Sequence, residues 1–318
     1  MIMKNTPYIE RGGDLVVRHP FMMEKTHMRC FFMDAAPDKL QTLCDKLFNA
    51  PTNNVFQFRP LSNTVLLAFA QIEKAYSAPD QHHGSMVEVD VAFWIPLLYQ
   101  RAGEFRLAWY ISYVFVDNPY AMASGREIYG FPKTLAQFQI PEATGSHEPY
   151  WVDSFGLENA GSGARYRMLR LFELRRTGKA SNEFLEKRPF KTAHHLYNSL
   201  FGGQESSVTR WQLRQRYLHN LRHKQHVPVL FLRQLRDIQD PNRAAHQEIL
   251  EAPANITRFW RGGLLPNDYN LHLTPNASFP IAEELGLCPD EHPIKSAFWV
   301  DFDFCMDKGQ TLWQAGGG

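Results

Sequence analysis

Gly125-Arg126-Glu127-Ile128-Tyr129-Gly130-Phe131-Pro132-Lys133 is the stretch on which the reading of this 318-residue chain turns. It sets a single lysine directly after an aromatic residue and a proline. A lysine amine is nucleophilic only without its proton, and its reference pKa of about 10.4 keeps it an ammonium at neutral pH. Burial penalises the charged form and can lower that pKa by roughly 3 to 5 units, enough to prepare a Schiff-base lysine. Phe131, Pro132, Leu135 and Ala136 supply apolar surface around Lys133, and Pro132 fixes the backbone just before it. Gly125 and Gly130 are expected to form tight turns. Most lysines are solvated, so the spacing alone makes Lys133 a candidate nucleophile and no more.

Working outward, Val116-Asp117-Asn118-Pro119-Tyr120-Ala121-Met122-Ala123-Ser124 runs into this stretch. The combined segment resembles the lysine-bearing part of the acetoacetate decarboxylase superfamily, in which an aromatic-Pro-Lys follows Gly-Arg-Glu at this distance. Val227 to Asp237 resembles a later strand of the longer members, and Ala297 to Phe304 does likewise. The resemblance spans roughly residues 25 to 313.

It implies a mainly antiparallel α+β fold of curled sheets forming a cone or barrel with a few peripheral helices. It also implies a cofactor-independent lyase in which neutral Lys133 attacks the ketone of a small 3-oxo acid such as acetoacetate. Neither a cofactor nor a metal is implied, and a homo-oligomer is. The best-known members carry a second lysine after the first, where this chain has Thr134. Activation of Lys133 must then come from burial or from a cation elsewhere, such as Arg126.

The family's acidic residue precedes an aliphatic-Pro step about thirty residues upstream of the lysine. In Met86-Val87-Glu88-Val89-Asp90-Val91-Ala92-Phe93-Trp94-Ile95-Pro96, counting back from Pro96 selects Asp90. Glu88 lies two residues earlier, on the same face of a strand. Both carboxylates are therefore candidate proton-handling groups, with a solvent-facing pair as the bland alternative. A family arginine at the pocket mouth corresponds to Arg29 or, by gapless counting, falls nearer His27. Arg126 and Glu127 read as ion-pairing supports of the lysine loop, and Phe131 as a pocket residue. Within the same superfamily, an imine or enamine aldolase-dehydratase or cyclase is the alternative activity. A non-enzymatic ligand-binding barrel is the alternative outside enzymology.

Composition sets the outer bounds. A hydrophobic fraction of 44% with 21% charged residues suits a globular protein, and 23 Phe, 12 Tyr and 7 Trp can line a large apolar interior. No composition shift divides the chain, which reads as one domain over 1–318. A net charge of +1 provides no general attraction to nucleic acid or to anionic membranes. Cys30, Cys44, Cys288 and Cys305 form no CxxC pair and read as free thiols of a reducing compartment. With no secretory h-region and no apolar run of membrane-spanning length, the expected location is cytoplasmic and no membrane partner is expected.

The histidine pairs His82-His83 and His194-His195 match no metal-ligand spacing, and no phosphate cradle or GxSxG elbow is present. Gly161-Ser162-Gly163 reads as a turn between strands. Strands are expected at 55–59, 65–72, 87–95, 105–116, 166–174, 229–235 and 298–306. Leu40, Leu43, Cys44 and Leu47 give an amphipathic helix over Pro37 to Phe48. Asn242 to Glu251 and Pro280 to Leu285 are weaker helical segments. Residues 203–226 form a basic helical insertion around Trp211, read as a solvated or subunit-contacting face.

Overall fold

The computed structural model describes residues 6–11, 13–101, 103–143, 146–178, 226–265 and 268–316. The expected basic insertion lies outside the described residues apart from His226, and so does His194-His195.

Seven strands close a ring. They are β1 (Phe21–Asp34), β3 (Thr64–Ser77), β4 (Met86–Arg101), β5 (Glu104–Val116), β9 (His226–Arg236), β10 (Ala244–Leu265) and β13 (Ser296–Met306). Around the ring the order is β5-β9-β10-β13-β1-β3-β4, and β4 pairs back to β5. All these pairings are antiparallel except β5 with β9, which is parallel through Trp109 and Tyr110. Ring closure leaves these strands few free edges. β2 (Gln57–Pro60) pairs with β4, and β14 (Gln310–Gln314) with β10.

A second layer grows from β5. β6 (Lys133–Gln139) lies parallel to the end of β5, with Val114 opposite Lys133 and Val116 opposite Leu135. β7 (Tyr150–Gly156), β8 (Arg167–Arg176), β11 (Tyr269–Leu273) and β12 (His292–Pro293) extend it antiparallel. The main core lies between this layer and the outer face of the ring. Phe31, Phe69, Phe93 and Phe115 alternate with inward-facing residues along their strands and meet Tyr150, Phe172 and Tyr269. Ring centroids are 4.9 Å apart for Phe69 and Tyr150 and 5.2 Å for Phe93 and Phe172. Each such aromatic contributes roughly 1.5–3 kcal/mol by leaving water.

Among the described residues three short helices sit around the sheets: α1 (Pro37–Cys44), α2 (Pro119–Ser124) and α3 (Ile281–Leu285). The amphipathic pattern beginning at Pro37 appears as α1 continued by a π-helical turn over Asp45–Asn49. No helix among the described residues is long and apolar enough to cross a membrane.

Every expected strand is present, although β2 begins at Gln57, two residues later than expected. One helical expectation is overturned. Asn242 to Glu251 contains good helix formers, but Ala244 onward is the start of β10. It pairs with β9 on one side, and from Glu248 with β14 on the other. Burial of Ile249 and Leu250 between these neighbours outweighs a helix preference of a few tenths of a kcal/mol per residue. β1, with four methionines and with Glu24, Lys25 and Arg29 among its charged residues, was not expected as a strand, and it forms a wall of the ring between β13 and β3.

Candidate active site

A parallel pair cannot be joined by a tight turn, so the chain leaving β5 makes a crossover over residues 117–132 before entering β6. That crossover carries the lysine motif. Asn118 begins α2 by accepting hydrogen bonds from the backbone N–H groups of Tyr120 (2.9 Å) and Ala121 (3.4 Å), with Pro119 in the first turn. α2 continues into a π-helical turn over Gly125–Tyr129, which ends at Gly130 with φ +86°. Gly130 thus has the turn role expected of it. A Cβ there would also stand 2.6 Å from Arg233 Cα, so only glycine fits.

Gly125 differs from its expected role. Its backbone is helical at φ −63°, and its lack of a side chain makes room for Lys133, whose Cδ would lie 2.8 Å from a Cβ at 125. The Lys133 N–H donates to Phe131 O at 2.8 Å, closing a three-residue turn on Pro132 that suits proline's fixed φ. Lys133 then begins β6. Arg126, itself exposed, donates from Nη1 to the Lys133 carbonyl at 3.0 Å, so it braces the start of β6. Glu127, also exposed, accepts from the Tyr8 hydroxyl at 3.1 Å. Tyr129 donates to the carbonyls of Met306 and Asp307 and ties the loop to the end of β13.

Lys133 is 7% exposed, and its Nζ donates to Glu88 Oε1 at 2.7 Å and to Asp90 Oδ1 at 3.4 Å. Glu88 and Asp90 project from one face of β4, as their i, i+2 spacing requires. Glu88 is buried, whereas the Asp90 side chain keeps a quarter of its surface exposed. The Phe131 ring lies with its centroid 5.4 Å from Nζ and packs against Phe231.

Two residues outside the expected set hold this geometry. Asn118 Nδ2 donates to Val87 O at 3.0 Å, and the Val89 N–H donates to Asp117 Oδ1 at 2.9 Å. Together they grip the β4 backbone on both sides of Glu88 from the crossover that delivers Lys133. The adjacent Asp-Asn-Pro, a helix-start signature, was the available sequence signal.

The electrostatics reverse one expectation. Burial works against charge on Lys133, but the Asp90 and Glu88 carboxylates outweigh it and hold its pKa above the ordinary lysine value. Burial likewise opposes ionisation of Glu88, yet the Lys133 charge and hydrogen bonds from Asp90 and Lys133 keep its pKa below the usual range. Burial and the neighbouring Glu88 charge raise Asp90 well above an ordinary aspartate. The three shifts point one way: the cluster favours an ammonium on Lys133 and a carboxylate on Glu88, and of the two acids Asp90 is the one that takes up a proton more readily.

Arg29 is not part of the cluster. It lies on the opposite face of β1, 1% exposed, donating to Gln71 Oε1 at 2.9 Å and to Glu142 O at 3.1 Å. Its neighbours Met28 and Phe32, like Thr26, face inward instead. His27 binds Asp301 across the β1–β13 pairing and does not line the cavity.

The cluster lies on the wall of a partly open cavity of about 450 Å³ inside the strand ring. Among the described lining residues, the acidic or basic side chains are Glu88, Asp90, Lys133, His19 and His226. The N-terminal segment closes one side, where the Val17 N–H donates to Ser124 Oγ and that hydroxyl donates to Leu15 O, both at 3.1 Å.

The family model for acetoacetate decarboxylase (ADC) matches residues 55–223, more than half of the chain and the part bearing Glu88, Asp90 and Lys133. The chain belongs to the acetoacetate decarboxylase family. Comparison with curated proteins finds no match. Among solved structures, acetoacetate decarboxylase from Legionella pneumophila subsp. pneumophila str. Philadelphia 1 is similar with a TM-score of 0.62 at 13% identity, covering 99% of this chain and 94% of that one. An acetoacetate decarboxylase-like enzyme from Sphingomonas wittichii RW1 gives 0.56 at 12%, covering 96% and 98%. The enduracididine biosynthesis enzyme MppR gives 0.54 at 11%, covering 95% and 90%. At these identities the likeness concerns the fold, a curled, mainly antiparallel sheet with few helices.

Proposed function

We propose that this acetoacetate decarboxylase family member is a cofactor-independent Schiff-base lyase that uses Lys133 to decarboxylate a 3-oxo acid. The observation that carries this reading is a buried lysine amine 2.7 Å from one carboxylate and 3.4 Å from a second, on the wall of an apolar cavity. Moving one proton from Nζ to Glu88 across the short hydrogen bond gives a neutral amine without changing the charge of the cluster. Substrate that displaces water from the cavity favours that isomer, because an ion pair loses more than a neutral pair on desolvation.

The amine adds to the ketone carbon, and loss of water leaves a protonated imine. The bond between the α-carbon and the carboxylate then breaks, its electrons pass to the iminium nitrogen, and carbon dioxide departs. Asp90, the acid whose pKa is raised, delivers a proton to the α-carbon of the resulting enamine and is reprotonated from water. Water hydrolyses the imine and releases a ketone and the free amine. A substrate carboxylate meets low polarity here, and its charge disappears as carbon dioxide forms, so the surroundings favour that step.

The apolar lining of the cavity also suits a carbonyl substrate without a carboxylate, whose enamine would add to an aldehyde. That is the second reading, an aldolase-dehydratase. Release of carbon dioxide distinguishes the two.

Borohydride trapping with acetoacetate, pyruvate and longer 3-oxo acids, followed by peptide mass spectrometry, tests the proposal. We expect an adduct at Lys133 whose mass shows that carbon dioxide has left, and none in Lys133→Ala. Removing the lysine strands the Glu88 carboxylate at a cost of about 3–5 kcal/mol. The Lys133→Ala/Glu88→Gln double variant is therefore the folded control. Absence of an adduct with every carbonyl compound would overturn the Schiff-base reading in favour of a ligand-binding barrel.

A further inference from the structure

The cavity extends well past the reactive cluster. Along β4 its lining residues are Glu88, Asp90, Ala92 and Trp94, and along β3 they are Ile72, Ala70, Ala68 and Leu66. Ala68 sits opposite Ala92, Ala70 opposite Asp90, and Leu66 opposite Trp94. Small side chains therefore floor the space just beyond the carboxylates, and bulky ones end it, with Trp109 edge-on to Trp94 at a centroid distance of 6.2 Å. From Asp90 to Trp94 the strand advances about 13 Å, at roughly 3.3 Å per residue. The cavity's 450 Å³ lies within the range of roughly 300–1,000 Å³ of pockets that bury a ligand much larger than a four-carbon oxo acid.

We propose that this trough holds the apolar chain of the substrate, and that the Ala68–Ala92 pair sets how long that chain is. The inference rests on Lys133 forming the imine. The substrate class is then a carbonyl compound whose reactive carbon meets Lys133 and whose remaining body is a linear aliphatic chain. Charge supports the same class. No arginine, and no lysine other than Lys133, lines the cavity among the described residues, so an acidic group remote from the reactive carbon and from the imidazoles of His19 and His226 would be desolvated without a partner. A neutral chain has no such cost. Leucine at 68 or 92 would place its branched end where the alanine methyls leave room.

The test is a chain-length series of methyl ketones, from propanone through 2-pentanone and 2-heptanone to 2-nonanone, trapped with borohydride at increasing concentration. In the wild-type protein the half-saturating concentration should fall by about fourfold for each added methylene until the chain reaches Trp94. Ala92→Leu and Ala68→Leu should shift the optimum to shorter ketones. Calorimetric binding of 2-nonanone to the Lys133→Ala/Glu88→Gln variant should persist, since the chain contacts remain.

A flat chain-length dependence in wild type, with normal trapping of propanone, would overturn the trough and leave the imine chemistry standing. Binding of 2-nonanone without any adduct would overturn the imine chemistry and leave an apolar site. If neither alanine variant folds, the wild-type series alone still decides.

Discussion

The Lys133 side chain runs directly over Gly125, so closely that a Cβ at 125 would stand 2.8 Å from Lys133 Cδ and 3.1 Å from Cε. A residue eight positions upstream thus decides where the amine lies. Gly125→Ala keeps a helical backbone angle that alanine accepts, so the fold should survive with about 1–3 kcal/mol of overpacking cost. The displaced amine should lower kcat by about 10²-fold, as a misplacement near 1 Å does. Thermal unfolding and borohydride trapping measured together check this, and normal trapping in a folded variant would refute it.

Asp90→Asn should stabilise the protein, and more so as pH rises. The Asp90 pKa is raised by burial and by Glu88. Its contribution to stability is therefore complete below the unfolded value near 3.9 and is lost as pH rises through the folded value. Asparagine has no such loss. The difference in Tm between variant and wild type should become more positive from pH about 4 to about 8, and a difference that shrinks over that range would contradict the assignment. In the proposed mechanism Asp90 supplies the proton to the enamine, and on that reading kcat should fall by about 10²–10⁴-fold in the same variant.

Asn118 grips the backbone beside Glu88 without touching the cavity. Asn118→Ala should cost about 0.5–2 kcal/mol through loss of the α2 cap. It should also lower kcat while leaving KM nearly unchanged, because Glu88 loses its register with Lys133 and the cavity wall does not move. A fall in stability with unaltered kcat would limit Asn118 to capping.

Arg29→Met separates a structural arginine from one that guides substrate. Its hydrogen bonds to Gln71 and Glu142 lie on the core side of β1. The variant should lose about 1–3 kcal/mol through the acceptors left unpaired, while KM for an oxo acid stays unchanged. Urea unfolding and steady-state kinetics check the two halves, and a large rise in KM would return Arg29 to substrate binding.

The sequence by itself determined what local chemistry can determine. The i, i+2 spacing of Glu88 and Asp90 puts them on one strand face, Pro37 and the leucines after it make a helix, and Pro132 presets the turn before Lys133. The aromatic-Pro-Lys motif pointed to the family that the chain proved to belong to. What depended on distant partners was not legible. The segment from Ala244 became a strand because β9 and β14 flank it, against its own helix preference. Arg29 and Met28 are neighbours in the chain, yet strand alternation sends one into the core and the other into the cavity, and only ring closure decides which side is which. The charge of Lys133 was decided in the same way. A lysine buried among apolar groups loses its proton more readily, but the fold brings two carboxylates from 43 and 45 positions upstream to its amine, and at these distances their attraction exceeds the cost of burial.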